Sequence, residues 1–137
     1  MSHRTFHRIA GSIVVTGYAP NGGTLRFIAH KTRALACLHR SERLRLDVDR
    51  SVQLRLEGVG QRRAVETRDR LLRRLGFTRV EYARDGRRCV VSEPGRVEVV
   101  VLAARVDVRG RIRARVVQAI PRVFVHTVTM AVACVEE

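Results

Sequence analysis

The 137-residue sequence lacks tryptophan, and aromatic residues make up only 4% of it. Its hydrophobic core must therefore be built mainly from aliphatic side chains, within a total hydrophobic fraction of 45%. The shortage of rings argues against a surface on which many nucleobases stack in succession. A chain of this length is expected to form one domain that buries roughly two thirds of its unfolded surface, so neither a disulfide nor a metal is needed for folding.

Cysteines and long apolar runs are also scarce. Cys37, Cys89 and Cys134 are odd in number, widely separated and without the spacing of a zinc site. We interpret them as packing thiols in a reducing compartment. No apolar run is long enough to span a membrane, and the stretch at residues 13–15 is too short for a signal peptide. The sequence therefore predicts a cytoplasmic protein without membrane insertion.

Positive charge is abundant. Lysine and arginine number 27 against 13 acidic residues, which gives a formal net charge of +14, and every basic residue except Lys31 is an arginine. Such a charge attracts polyanions, and arginine can bind a phosphate through two parallel hydrogen bonds. Nucleic acid is the partner that this composition favours. The alternative is that the arginine content reflects a compositional bias of the coding sequence.

The pattern of apolar residues predicts a β-rich α+β fold. Residues 9–16 and 24–29, separated by a turn rich in proline and glycine, predict a hairpin, and the alternation at residues 51–57 predicts a half-buried strand. Apolar residues with helical spacing predict one helix over residues 61–75, ended by Gly76. Residues 32–46 fit irregular structure or a short helix. Further strands are predicted at residues 78–83, 87–92, 96–106 and 111–117.

The last of these strands has an unusual alternation. Its odd positions are Arg111, Arg113 and Arg115 and its even positions are apolar, so the arginines are predicted to share one outward face. The order of hairpin, strand, helix and further strands predicts a small five-stranded OB-type barrel within residues 1–118. An apolar C-terminal tail follows at residues 119–137, and the sequence does not predict its structure.

Four strings in the same order resemble the staphylococcal nuclease-like family. Residues 17–27, Gly-Tyr-Ala-Pro-Asn-Gly-Gly-Thr-Leu-Arg-Phe, resemble its first hairpin, and residues 52–59 resemble the strand that leads into its catalytic loop. Residues 64–77 resemble the helix that follows. Residues 107–111, Asp-Val-Arg-Gly-Arg, resemble its D-K-Y-G-R turn. The resemblance covers about residues 9–117.

The resemblance implies a calcium-dependent phosphodiesterase. In that family carboxylates hold the metal, a glutamate assists the attacking water, and two arginines neutralise charge on the phosphate. Arg55 and Arg111 match the two arginine positions. By the same resemblance they are the candidate catalytic residues; for each, the simpler interpretation is a solvated arginine on a strand.

The carboxylate positions of the family are not matched. Gly23 stands where the hairpin has its metal-binding aspartate, and Gly60, Gln61, Arg62 and Arg63 stand where the family has D-x-P-E. Arg63 in place of the glutamate cannot accept a proton from water. Glu57 and Glu66 are nearby acids that could substitute, although both are more simply interpreted as surface residues. We therefore expect no metal site, and calcium as a cofactor only if cleavage is retained.

Three functions remain open from the sequence. The first is a non-catalytic domain that binds the backbone of DNA or RNA through phosphate contacts. The second is a metal-dependent nuclease with relocated acids. The third is a structural or degenerate protein that self-associates through its C-terminal tail. For the first function, the predicted contact residues are Arg55, Arg109, Arg111, Arg113 and Arg115.

Overall fold

A computed structural model describes residues 5–20, 23–57 and 64–120 of the chain. The predicted hairpin consists of β1, His7–Val14, and β2, Thr24–Ala29. Two short 3-10 helices, Thr32–Cys37 and Ser41–Arg43, connect it to β3. The remaining elements are β3 Val52–Leu56, α1 Ala64–Leu75, β4 Arg79–Tyr82, β5 Cys89–Glu93, β6 Arg96–Val106 and β7 Ile112–Ile120.

Five of the strands close into a barrel. Their order around it is β1, β2, β3, β7 and β6, and β6 pairs with β1 to complete the closure. β3 and β7 run parallel, whereas the other neighbouring strands run antiparallel. The prediction of a β-rich α+β fold with a small five-stranded OB-type barrel is therefore confirmed.

A separate hairpin lies between α1 and β6 in the chain. β4 and β5 pair with each other as a two-stranded sheet, and an isolated bridge between Cys89 of β5 and Thr16 joins this hairpin to the segment after β1. The sequence predicted both strands but gave no sign that they lie outside the barrel. In the structure, β4 has no fully buried residue and β5 buries only Cys89, whereas β2 and β3 bury alternate residues.

The barrel core is mainly aliphatic, as the composition predicts, with Phe27 as its largest fully buried side chain. Close approach of β1 and β2 depends on Gly11. A Cβ at this position would lie 2.4 Å from the carbonyl oxygen of Ile28 and 2.4 Å from the ring of Phe27. The missing side chain thus allows the aromatic ring to fill the space beside β1.

The end of α1 follows its sequence signal. Gly76 has a φ of +116°, its amide donates to the carbonyl of Arg73, and the amide of Phe77 donates to the carbonyl of Leu72. These are the two hydrogen bonds of a Schellman motif, which the predicted C-terminal glycine makes accessible. Leu72 and Phe77 join the hydrophobic core, so the motif fixes the helix against the barrel.

The alternation predicted for residues 111–117 is confirmed. Ile112 and Ala114 are buried, Arg113 is half-buried and Arg115 is exposed. β7 continues to Ile120, two residues past the predicted domain boundary at 118, and Ile120 is the register partner of Glu98. Residues 121–137 of the predicted tail lie outside the described residues.

One cysteine assignment is wrong. Cys89 is buried, as a packing thiol should be, but Cys37 is exposed because it ends a short 3-10 helix at the surface. Cys134 lies outside the described residues. No helix within the described ranges is long and apolar enough to cross a membrane.

Candidate nucleic-acid interface

Three arginines form a row across neighbouring strands of the barrel. Arg55 on β3 is the register partner of Arg113 on β7, and Arg113 is in turn the register partner of Arg105 on β6. The residues beside them along the strands are buried in the core. Because side chains alternate between the faces of a strand, all three arginines belong to the outer face. We call Arg55, Arg113 and Arg105 the arginine row.

The three side chains of the arginine row are half-buried, so their positive charges lie close to the barrel surface. Burial lowers the pKa of the Arg55 guanidinium, and the charges of Arg113 and then Arg111 lower it further. The Nε atoms of Arg113 and Arg105 are buried and have no hydrogen-bond partner among the described residues. Like charges on facing strand positions destabilise a sheet. Arg55 and Arg113 therefore bring like charges together on this face.

Arg111 is held by the turn that precedes β7. Its Nε donates to Oδ2 of Asp107 at 3.0 Å, while Oδ1 accepts the backbone amides of Arg109 at 2.9 Å and Arg111 at 3.0 Å. Burial would raise the pKa of Asp107, but these hydrogen bonds outweigh it and hold the pKa below its usual value. The carboxylate of Asp107 therefore orients the guanidinium of Arg111.

Gly110 makes this turn possible. Its φ is +80°, and a Cβ would lie 2.8 Å from the carbonyl oxygen of Arg43. Both the backbone conformation and the close approach of the connecting segment favour glycine here. The Asp-Val-Arg-Gly-Arg string thus encodes a turn that places Arg111 beside the arginine row.

The other predicted contact residues lie at the edges of this surface. Arg115 is exposed on β7, and its register partner on β6 is Leu102. Leu102 is also the register partner of Arg8, which is exposed on β1. The positive face thereby extends beyond the arginine row. Arg109 is exposed in the β6–β7 turn and reaches towards β2 and β3, where it lines a cleft.

The position of the family's metal-binding aspartate lies next to Arg55 but has no side chain. The carbonyl of Gly23 accepts the amide of Leu56 at 2.7 Å. The second unmatched segment, Gly60, Gln61, Arg62 and Arg63, lies outside the described residues. Glu57 is exposed at the end of β3, and Glu66 is exposed in the first turn of α1.

Calcium does not fit the side chains described here. The ion needs six to eight oxygen ligands, usually several carboxylates. In the described part of the chain, no group of three or more histidine, cysteine, aspartate or glutamate residues is placed to hold a metal ion. Arg55 pairs with Thr24, the residue after Gly23, and its positive charge would repel a divalent cation.

Two features of the interface were not predicted from the sequence. Arg105 lies in a mostly apolar strand, and a β-bulge between Ala103 and Arg105 sets its register with Arg113. The second feature is a stacked pair, in which the guanidinium carbon of Arg26 lies 4.4 Å from the ring centroid of Tyr18. An arginine within a mostly apolar strand was the available sequence signal in both cases, but the partner of each arginine depends on the fold.

Comparisons with protein-family models, with curated proteins and with solved structures gave no match for this chain. Fold and site define a small, strongly basic barrel whose arginines gather on the outer face of three neighbouring strands. The resemblance to the staphylococcal nuclease-like family stays a prediction from the sequence.

Proposed function

We propose that this protein binds the phosphate backbone of DNA or RNA on the outer face of β3, β7 and β6. The observation behind the proposal is the arginine row, in which Arg55, Arg113 and Arg105 face one another across three strands. Guanidinium groups hold phosphate oxygens in a fork geometry and remain charged at all physiological pH values. Bound phosphates would reduce the mutual repulsion of these arginines.

An extended polyanion suits this face better than a small isolated anion. Arg111 lies close enough to Arg55 to affect its pKa, and Arg115 and Arg8 add charge one step further along the strands. A surface with several arginines at successive positions matches the repeated charge of a nucleic acid backbone. Contacts to phosphate carry no sequence information, so binding is expected to be largely independent of sequence.

We propose further that catalysis is impaired relative to the resembled nucleases. Gly23 offers no carboxylate beside Arg55, and Arg63 replaces the glutamate expected to assist water. General-base assistance commonly contributes about 10²–10⁴ in rate, and a metal ion stabilises the transition state further. Glu57 and Glu66 are the nearby acids through which a relocated nuclease site could operate.

Binding by variants of the arginine row tests the proposal. In the double variant Arg105→Gln/Arg113→Gln, the slope of log affinity against log salt for a duplex should fall by nearly two units if each residue contacts one phosphate. The matched control is Arg70→Gln/Arg74→Gln, which removes the same charge from exposed positions of α1. Equal losses in the two double variants would show a diffuse charge effect and contradict a defined interface.

A further inference from the structure

A cleft of about 340 Å³ lies beside the arginine row. Its walls come from the loop after β1, from β2 and β3, from the segment before β3 and from the β6–β7 turn. The volume falls within the range of about 300–1,000 Å³ typical of ligand sites. The side chains that give the cleft its chemistry are Tyr18, Arg26, Arg45, Asp47, Gln53 and Arg109.

The cleft and the arginine row are continuous on one face. Arg26 on β2 and Gln53 on β3 are register partners, as are Thr24 and Arg55. These two pairs are separated by two residues along each strand, which is about 7 Å and keeps them on the same side of the sheet. A nucleic acid strand bound at Arg55 would therefore lie next to the cleft.

One wall of the cleft is a fixed flat surface. The guanidinium of Arg26 lies over the ring of Tyr18, and the hydroxyl of Tyr18 accepts the backbone amide of Arg26 at 2.6 Å. Burial raises the pKa of Tyr18, so the hydroxyl stays protonated and the ring stays neutral. Guanidinium planes and aromatic rings are the groups on which unpaired bases stack.

The remaining groups suit the polar parts of a nucleotide. Arg45 and Arg109 bring two further positive charges to the cleft against the single carboxylate of Asp47. Arg45 lies against the β6–β7 turn, where a Cβ on Gly110 would be 3.1 Å from its Cγ. The amide of Gln53 can both donate to and accept from the edge of a base. The cleft thus combines a stacking plane, hydrogen-bonding groups and cations.

We propose that this cleft receives one unpaired nucleobase, so that the protein prefers single-stranded to double-stranded nucleic acid. The inference rests on the proposed function, because the phosphates that flank the base are bound by the arginine row. The base stacks on Arg26, which Tyr18 supports from behind, and Arg45 and Arg109 face the adjacent phosphates. A base within a duplex is paired and stacked, and it reaches the cleft only by leaving the helix. The low aromatic content is consistent with a single such subsite.

Binding of three ligands of equal length tests the preference: a single strand, the corresponding duplex, and a single strand of abasic sugar-phosphate. For the wild type we expect roughly tenfold tighter binding of the base-bearing strand than of the abasic strand. Arg26→Lys keeps the charge but removes the plane, so it should abolish this difference while the salt dependence stays unchanged. Gln53→Ala, at an exposed position, should reduce it in part. The control Arg115→Gln should weaken binding of all three ligands alike.

Tyrosine fluorescence locates the base. The chain has no tryptophan and only two tyrosines, so Tyr82→Phe leaves Tyr18 as the sole emitter. Tyr82 has no hydrogen-bond partner for its buried hydroxyl among the described residues, which makes this substitution a mild one. The base-bearing strand should quench Tyr18, and the abasic strand should not.

The outcomes separate the two proposals. Equal affinity for all three ligands, or equal quenching by both single strands, overturns the base subsite and leaves backbone binding in place. Failure of every ligand to bind at low salt overturns the proposed function and the base subsite together.

Discussion

Arg55 on β3 and Arg113 on β7 face each other across the parallel strand pair of the barrel. Two guanidinium groups in register are unfavourable for the sheet, and Arg105 extends the same contact to a third strand. Our proposal is that a ligand of opposite charge binds at these facing positions.

Arg113→Gln should separate stability from binding. Removing one of the facing charges should leave the free energy of unfolding unchanged or raise it by up to about 1 kcal/mol. The same change should weaken nucleic acid binding and lower its salt slope by roughly one unit. Urea unfolding and fluorescence anisotropy on one preparation measure both effects. A clear loss of stability with undiminished binding would assign Arg113 a structural role.

Replacement of Gly110 by alanine should destabilise the turn before β7. The left-handed conformation alone costs an alanine about 1–2 kcal/mol, and the carbonyl of Arg43 blocks the added methyl group. Gly86→Ala is the control, because its φ is +69° but nothing lies within 4 Å of a Cβ there. Chemical denaturation should show a larger loss for Gly110→Ala than for Gly86→Ala. Equal losses of stability would mean that the segment around Arg43 moves enough to accommodate the methyl group.

Asp107 should contribute acid-sensitive stability. Its pKa is lower in the folded state than in the unfolded state, so its contribution is present above the unfolded pKa and is lost as the pH falls through the folded pKa. Hydrogen bonds to a charged group are worth about 1.5–3 kcal/mol. The stability difference between wild type and Asp107→Asn should therefore be largest at neutral pH and shrink in acid. A difference independent of pH would show that the carboxylate charge is unimportant.

Much of the barrel could be predicted because its elements have local signals. The alternation at residues 111–117 places Arg113 outside and Ile112 inside, and Gly76 marks the end of α1 through its left-handed conformation. The β4–β5 hairpin was not separated from the barrel, since strand pairing depends on contacts between distant segments. Cys37 was misassigned because a surface 3-10 helix exposes a residue that is usually buried.

The candidate site was harder to predict from the sequence, because it also depends on contacts between distant segments. The resemblance gave Arg55 and Arg111 as a pair, but the charge of Arg111 lowers the pKa of Arg55 only because the fold brings the two residues together. Arg105 joins them only through the pairing of β6 with β7 and the β-bulge in it. Tyr18 and Arg26 are eight residues apart, and the sequence pattern does not indicate that their side chains stack.

Purified protein should not cut plasmid DNA or RNA at a rate typical of the resembled nucleases, either with calcium or with chelator. Gly23 and the cationic surroundings of Arg55 provide no cage for the ion in the described part of the chain. If trace cleavage is seen, Arg55→Ala tests whether it comes from the site around Arg55. Calcium-dependent cleavage that this substitution abolishes would show that relocated acids, such as Glu57 or Glu66, support catalysis.

The most direct test of backbone binding is the affinity of the wild-type protein for a fluorescent oligonucleotide across a salt series. If several phosphates are contacted, affinity should fall by orders of magnitude between about 50 and 200 mM salt, with nearly one unit of log–log slope for each contact. The slope should be smaller in Arg105→Gln/Arg113→Gln and close to wild type in Arg70→Gln/Arg74→Gln. Binding that does not change with salt, or no binding at low ionic strength, would contradict the account.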